Sequence, residues 1–562
     1  MVNIKLIRAP CNEPLKFHST RLQTHYFPPL ALGTITAYLR SKGINVDQDD
    51  LNIKLKYDNY YSRNKIDTSI FFNRKRITNY ILNNKDDYLE ELCKNIVNKT
   101  KIKNINAILL SGDSGYEGFL YTAAISNFLK KKYDVPIIIG GVNLRIGEYE
   151  HAYRLVSKNK VADFLINGNG EIPSYKIISQ LDGEVGVKDV PGLIYMKGGK
   201  VRINKPAKCV LIKPDFTGLP LNKYRWIIGR EFKHELINPE KKELLILPFR
   251  FITGCPHHCA YCGSSMDNKI EFLSPTDVVK YLIELSEEYN TPYFYFLHNT
   301  INISKPYINE LCDKIIEKGL KIYWTDCATI KNMDKKILIK MRKAGCISLW
   351  FGAETGSQKL LDYIEKGITI EQISHVLRWS HEAGIWTCVE IISGLPTETD
   401  YDIRQTTAFL KENSKFIDTI NFSPFFLCYP SRMYVYPKKY GIKNIRLPKN
   451  DKNRVNVIYL FDEINGFKWK NKEKQIYFSN KKTRYNSPRK GEILNFDHTP
   501  ILFTLYSQFT DKGTIKKIYK KINRRLYFYL LIKPKTLSRY IMDIKTVSEI
   551  KHKILCLIKG LD

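Results

Sequence analysis

The sequence predicts an α/β chain in three parts: a doubly wound parallel sheet, a partial barrel of six strand–helix units, and a mixed, mainly helical cap. Three observations carry this. Short apolar strands alternate with amphipathic helices over the first 180 residues, the alternation restarts at 246 for six units, and after Pro437 it degenerates. Such alternation marks a parallel sheet, because a strand can run parallel to its predecessor only after a crossover, usually helical.

In the first part, strand-like runs at 3–9 ("NIKLIRA"), 44–50, 106–112, 135–141 and 162–168 enclose helix-like segments near 30–42, 86–99, 117–132, 146–157 and 171–181. A Tyr-, Asn- and Lys-rich stretch, 53–85, reads as an insertion in one crossover. From 183 to 245 short turns and a small hairpin form a connecting segment. Barrel strands are expected at 247–253, 292–299, 321–326, 347–353, 386–394 and 418–424, with helices at 276–289, 305–318, 333–344, 357–364, 370–383 and 399–412. The domains that follow are 1–182, 183–245, 246–440 and a basic cap, 441–562.

The chain carries 89 Lys and Arg against 57 Asp and Glu, a formal charge of +32. This charge is spread over the whole length, with no Arg-rich helix and no nucleic-acid motif. It is densest after Asn450 ("NKKTRYNSPRK", "IKKIYKKINRR"), where a contact with RNA or a membrane surface is weighed against a plainly solvated face, and the solvated face is preferred. No run of 18 apolar residues exists, so no transmembrane segment is expected. The N-terminus enters a strand rather than a signal peptide, and a reducing, cytoplasmic setting is expected.

Nine of the twelve cysteines (Cys11, Cys93, Cys209, Cys312, Cys327, Cys346, Cys388, Cys428, Cys556) are scattered and read mostly as small buried apolar residues. The other three, Cys255, Cys259 and Cys262, share one loop, "GCPHHCAYCG". Three thiols cannot pair among themselves, so the loop reads as a metal or cluster site. It follows the first barrel strand, at the carboxyl end where such barrels carry their chemistry. A structural zinc completed by His257 or His258 stays open on these residues alone. A cubane iron–sulfur cluster takes four thiolates; three leave one iron able to chelate the amino and carboxylate groups of a ligand.

With Tyr261 ahead of its last cysteine, this Cys-x3-Cys-x2-Cys loop resembles that of the radical S-adenosylmethionine (SAM) superfamily. The resemblance implies a [4Fe-4S] cluster on Cys255, Cys259 and Cys262, reductive cleavage of SAM to a 5′-deoxyadenosyl radical, and an electron donor such as flavodoxin or ferredoxin. "LWFGAETGSQKLLDYIEKGIT" (349–369) and "VEIISGLPTETDYDI" (389–403) resemble the family's fourth- and fifth-strand segments. They imply SAM contacts at Tyr261, Glu354 and Gly394, the glycine bringing backbone to the adenine where a side chain would not fit. The plainer alternatives are a helix cap in "ETGSQ" and a turn capped by Thr397 or Thr399. At the end of the second strand, "FYFLHNTINIS" (294–304) has His298 and Asn299 where related proteins often carry acids. His298 is therefore either a catalytic donor or a polar strand-end residue.

"FPPLALGTITAYLRSKGINVDQDDLN" (27–52), "IIIGGVN" (137–143) and "VADFLINGNGEIP" (161–173) resemble cobalamin-binding domains fused to such barrels. The resemblance, covering about 3–440, implies a corrin at the carboxyl ends of the first sheet, near its topological switch point. Ser111, Ser114, Gly140, Gly141 and Asn169 are the candidate contacts; the plainer reading makes these glycines tight strand–helix turns. The Asp-x-His-x-x-Gly motif is absent, which implies no histidine on the cobalt. The function implied is a cobalamin-dependent radical SAM enzyme methylating an unactivated carbon or phosphorus centre of a small-molecule or peptide substrate, with no nucleic-acid partner. The alternatives are a rearrangement or cyclisation without methyl transfer, and a zinc-stabilised, basic nucleic-acid-binding protein.

Overall fold

The computed structural model describes residues 2–10, 27–55, 73–83, 85–112, 116–142, 148–158, 160–181, 183, 186, 188–224, 226–227, 243–266, 269–446, 459–486 and 499–520. Strands β1 (Asn3–Arg8), β2 (Asn45–Asp50), β3 (Ala107–Ser111), β4 (Ile137–Val142) and β5 (Phe164–Asn167) run parallel in the order β2-β1-β3-β4-β5. That order reverses between β1 and β3, the switch point of a doubly wound sheet. Because helices cover both faces, the strands are apolar on both: Leu109 joins the core on one side, Ile108 and Leu110 the core on the other.

Two expectations for this half are corrected. The hairpin of the connecting segment, β6 (Leu193–Lys197) and β7 (Lys200–Ile203), joins the sheet as an antiparallel extension of β5. The supposed insertion ends in a helix, α1 (Arg74–Asn83), that buries Ile77, Tyr80 and Ile81 against α2 (Tyr116–Lys132); residues 56–72 lie outside the described residues.

The second sheet is β8 (Ile246–Phe249), β9 (Tyr293–Phe296), β10 (Tyr323–Ala328), β11 (Cys346–Glu354), β12 (Trp386–Ser393) and β13 (Thr419–Pro424), all parallel and paired in sequence order. Its helices start at the caps their sequences provide. Ser274, Ser304, Asp334, Thr369 and Thr399 each accept the amide of the third helical residue, and Thr369 and Thr399 form reciprocal capping boxes with Gln372 and Asp402.

The cap closes the barrel's lower end. Helix α3 (Thr499–Gln508) and the segment after it place Leu502, Phe503, Leu505, Tyr506, Ile515 and Ile518 against Ile246, Ile347 and Trp386, which stand at the amino ends of β8, β11 and β12. Beside this plug the buried Asp418 is held by Lys512 at 2.7 Å and Lys516 at 3.0 Å. The basic run after Asn450 therefore does not simply face solvent. Lys472, Lys512 and Lys516 turn inward to pair with buried acids, because a lysine near an otherwise uncompensated buried carboxylate removes a desolvation penalty of several kcal/mol.

Candidate functional site

The cysteine loop leaves β8 through a two-residue antiparallel ladder, Ile252–Thr253 against Glu271–Phe272. Gly254 opens it at φ 82°, with the Lys269 carbonyl where a Cβ would stand, so only glycine fits. The loop is then tied down by distant segments. Ala260 donates its amide to Ile364 O at 2.8 Å, Met433 donates to Ala260 O at 2.9 Å, and Asn299 Nδ2 reaches Gly254 O at 3.3 Å. Within it, the Cys262 amide bonds Cys259 O at 3.0 Å.

None of Cys255, Cys259 and Cys262 is in a disulfide; Cys259 is buried and the others half-buried. Burial raises the Cys255 and Cys259 thiols, and the neighbouring thiols of the triad raise them further while Lys366 opposes. The three thiols thus lie close enough to influence one another, with the Lys366 ammonium near enough to offset negative charge on the sulfurs. Among the described residues, no three His, Cys, Asp or Glu side chains converge on a single metal ion. A structural zinc would gather four protein ligands around one ion, whereas in a cluster each thiolate would meet its own iron, and three thiols in one loop are the donor set that a cluster would use. His257 lies half-buried with Nε2 unpartnered, and burial, aided by Lys331, Lys366 and His258, lowers its pKa to about 4.

Behind the cysteines stands a triad of polar side chains. Tyr261 Oη donates to Glu354 Oε1 at 2.7 Å, and Lys366 Nζ reaches the same oxygen at 2.6 Å. Glu354 closes β11 at φ 65°, after a register shift at Gly352, and the pair folds over the space a Gly352 side chain would fill. Burial acts to lower the Lys366 ammonium, but Glu354, Cys259 and Cys262 outweigh it and hold it above its ordinary value. Lys366 escapes a reading of the sequence, since "IEKGI" looks like an exposed turn. Its role exists only once the chain after β11 returns to the cysteine loop.

The other predicted residues divide. Gly394, at φ 83°, donates its amide to Glu398 at 2.8 Å, and its bare α-carbon faces Ile476 of helix α4 (Trp469–Asn486), whose Cα lies 2.9 Å from the point a Cβ would occupy. The close approach assigned to adenine is made here by the cap. The plainer reading holds for the second segment, where Thr399 caps a helix; in the first, Ser357 precedes the helix Gln358–Tyr363 but makes no side-chain cap, its hydroxyl donating instead to Asp402 at 2.7 Å. His298 is buried, with Nδ1 2.6 Å from Asp326 and Nε2 accepting the Phe251 amide at 3.0 Å. Both ring nitrogens brace β8, β9 and β10, which leaves the imidazole no free edge for a substrate.

At the carboxyl end of the first sheet, the loops after β1, β3 and β4 meet: Ala9 donates to Ser111 O and Gly112 to Gly140 O, both at 3.0 Å. Gly141, at φ 76°, lies against Gly112 O and Ser111 Oγ. Ser114 lies outside the described residues. Asn169 is drawn away, its Nδ2 bonding Ala207 O at 3.1 Å, while Pro206 covers Gly168. Sequence reasoning also missed Glu390, which faces the barrel interior, and Cys327, exposed there beside Asp326, Glu390 and Glu354. The signal for Glu390 is legible in hindsight: a lone carboxyl in the apolar strand "CVEIIS".

Residues 249–410 match the family model of the Radical SAM superfamily. A methyltransferase of Pyrococcus horikoshii, itself described as uncharacterised, is 27% identical over 255 residues, 44% of this chain and 53% of that protein. The anaerobic magnesium-protoporphyrin IX monomethyl ester cyclase of Rubrivivax gelatinosus is 25% identical over 285 residues, 49% of this chain and 48% of that protein. The chain spans about half the length of the curated relatives it matches. Among solved structures, the radical S-adenosylmethionine methyltransferase TsrM of Kitasatospora setae, with cobalamin and a [4Fe-4S] cluster bound, is similar in fold. Its TM-score is 0.55 at 15% identity, over 85% of this chain and 91% of that one. Among the described residues, no helix is long and apolar enough to cross a membrane.

Proposed function

We propose that this chain, whose residues 249–410 form a radical SAM domain, is a cobalamin-dependent enzyme that reductively cleaves S-adenosylmethionine and methylates an unactivated carbon or phosphorus centre. The observation that carries the reading is the three-thiol loop at the carboxyl mouth of a parallel barrel, backed by Tyr261, Glu354 and Lys366. When bound, the cluster, SAM and cobalamin supply the radical chemistry and the transferable methyl group.

The chain's own residues supply position and charge. Cys255, Cys259 and Cys262 would hold the cluster, leaving one iron without a protein thiolate. Lys366 would offset the negative charge of the thiolates, and Tyr261 and Glu354 hold it there. Ser111, Gly140 and Gly141 present backbone and a hydroxyl at the switch point, which supports a corrin lying along that edge. Glu354 and the backbone of Gly394 are the proposed SAM contacts, and the cap excludes water from the far side of Gly394.

The test is product stoichiometry with reconstituted enzyme under strict anaerobiosis. Methyl transfer from SAM through cobalamin should yield 5′-deoxyadenosine and S-adenosylhomocysteine in equal amounts, with a deuterated SAM methyl recovered in the product. Similarity to the Rubrivivax gelatinosus cyclase favours a second reading, ring closure or rearrangement. Deoxyadenosine without matching S-adenosylhomocysteine would select it. A reducing, cytoplasmic setting and a flavodoxin- or ferredoxin-type electron donor accompany either reading.

A further inference from the structure

A closed parallel barrel normally fills its lumen with layers of side chains. Above the lower plug this partial barrel, a six-stranded sheet ending at β8 and β13, does not. On β11, β12 and β13 the residues under the helices (Phe351, Ile391, Phe422) are buried, whereas inward-facing Gly352, Glu390 and Asn421 are half-exposed. On β10, Cys327 is exposed on the same side. The upper lumen is a chamber open to solvent, and the cysteine loop stands at its rim.

Strand register sets Gly352, Glu390 and Asn421 in one row. Asn421 Nδ2 donates to Glu390 Oε2 at 2.7 Å. No lysine or arginine among the described residues pairs with Glu390. The charged groups around it are already engaged: Glu354 with Lys366, Asp326 with His298, and Asp418, lower in the barrel, with Lys512 and Lys516. Burial first, then the Glu354 charge, raise the Glu390 carboxyl to about 7 against the hydrogen bond from Asn421. With one Nδ2 hydrogen of Asn421 committed to Glu390, this wall offers two acceptors, Glu390 Oε1 and Asn421 Oδ1, and one remaining Nδ2 hydrogen. In a chain of net charge +32, this carboxyl has no cation among the described residues.

We infer that Glu390 and Asn421 anchor the substrate, and that the substrate presents a cationic nitrogen (an amine, amidine or guanidine) to this wall. The inference rests on the chamber being the substrate site of the proposed radical SAM enzyme. A cation placed between Glu390 Oε1 and Asn421 Oδ1 would give this partly desolvated carboxylate its missing partner. It would also hold the substrate between the cysteine loop and the strands.

Cys327 makes the chamber measurable without turnover. In the full chain with its cluster reconstituted, peptide mass spectrometry follows its modification by trimethylammonioethyl, sulfonatoethyl and methyl methanethiosulfonates, which are cationic, anionic and neutral. Taking the cation-to-anion rate ratio cancels the thiolate fraction at each pH. At pH 8 that ratio should fall about fivefold in Glu390→Gln, since one nearby charge attracts one reagent and repels the other; at pH 6 it should change little. Hexylammonium should slow labelling by the neutral reagent, and hexanoate should not. An unchanged ratio, a Cys327 that the neutral reagent does not reach, or equal protection by hexanoate would overturn the inference. Deoxyadenosine formation by the unsubstituted enzyme tests the underlying reading separately. Its absence alongside a fivefold fall would refute the radical SAM assignment and leave a cation-binding chamber.

Discussion

Two carboxyl groups of one barrel, the buried Asp418 and the half-buried Glu390, are treated in opposite ways. Asp418, just before β13 at the lower end, is raised by its burial, but Lys512, Lys516 and the Thr387 amide outweigh this and hold it below its ordinary value. Glu390, on β12 at the upper end, has one neutral amide and, among the described residues, no cation, and rises to about 7. The barrel spends its lysines on the end that must hold together and leaves an acid uncompensated at the end that faces a ligand. That division matches the general one for parallel barrels, where carboxyl ends of strands work and amino ends stabilise.

The division can be broken most severely at the top. Cys259→Ala should abolish deoxyadenosine formation and cluster absorbance while the apoprotein melts within about 1 °C of the parent apoprotein, because the lower plug is untouched. A large loss of apoprotein stability would show that the loop is structural. Asp418→Ala should do the reverse. Leaving the half-buried Lys512 and Lys516 without their acid should cost about 2–4 kcal/mol in urea unfolding, with cluster content per folded molecule unchanged.

Gly394→Val probes the seam between barrel and cap. A β-branched residue at φ 83° facing Ile476 should destabilise by about 1–3 kcal/mol. If SAM affinity falls while stability holds, the glycine serves the cofactor rather than the cap.

The smallest expected effect separates the two acids by pH. Glu390 titrates near 7 in the folded chain and near its ordinary 4.5 in the unfolded one. Between these values the fold holds a proton the unfolded chain has released, so stability declines as pH rises from about 4.5 to 7 and is flat above. Glu390→Gln should therefore gain about 1–3 kcal/mol over the parent at pH 8 and nothing below pH 4.5. Asp418 carries the opposite sign. Its contribution is present above the ordinary aspartate range and is lost as pH falls through it, so Asp418→Asn should flatten the acid limb of the melting profile. Coincident profiles for the two variants would erase the contrast.

The strands and helices were legible because periodicity is local. β8 to β13 fall within a few residues of where apolar runs predict them, and Ser274, Ser304 and Asp334 announce their helices. The cysteine loop was legible because its spacing is local too. What the sequence hid depends on distant partners. Lys366 matters only beside Glu354 and the cysteines, and His298 looked like a donor because nothing in "FLHNT" shows Asp326 and the Phe251 amide waiting for it. Gly394 was singled out for a close approach, but its contact with Ile476, which arrives from over eighty residues away, was not legible. Glu390 was visible as a charge in an apolar strand, but its lack of a cation is a property of the assembled barrel.

The lower plug has a consequence for synthesis on the ribosome. Ile246, Ile347 and Trp386 are covered by Leu502, Phe503 and Tyr506, which are made after the last barrel strand, Thr419–Pro424, has been completed. At ~5–20 residues per second, the nascent barrel shows an apolar mouth for several seconds before α3 can dock. The six-stranded sheet also has two open edges, β8 and β13, during that interval. The chain thus depends on its final segments to stop being a target for chaperones and for its own copies, and truncation within 499–520 should yield aggregated protein rather than a smaller working enzyme.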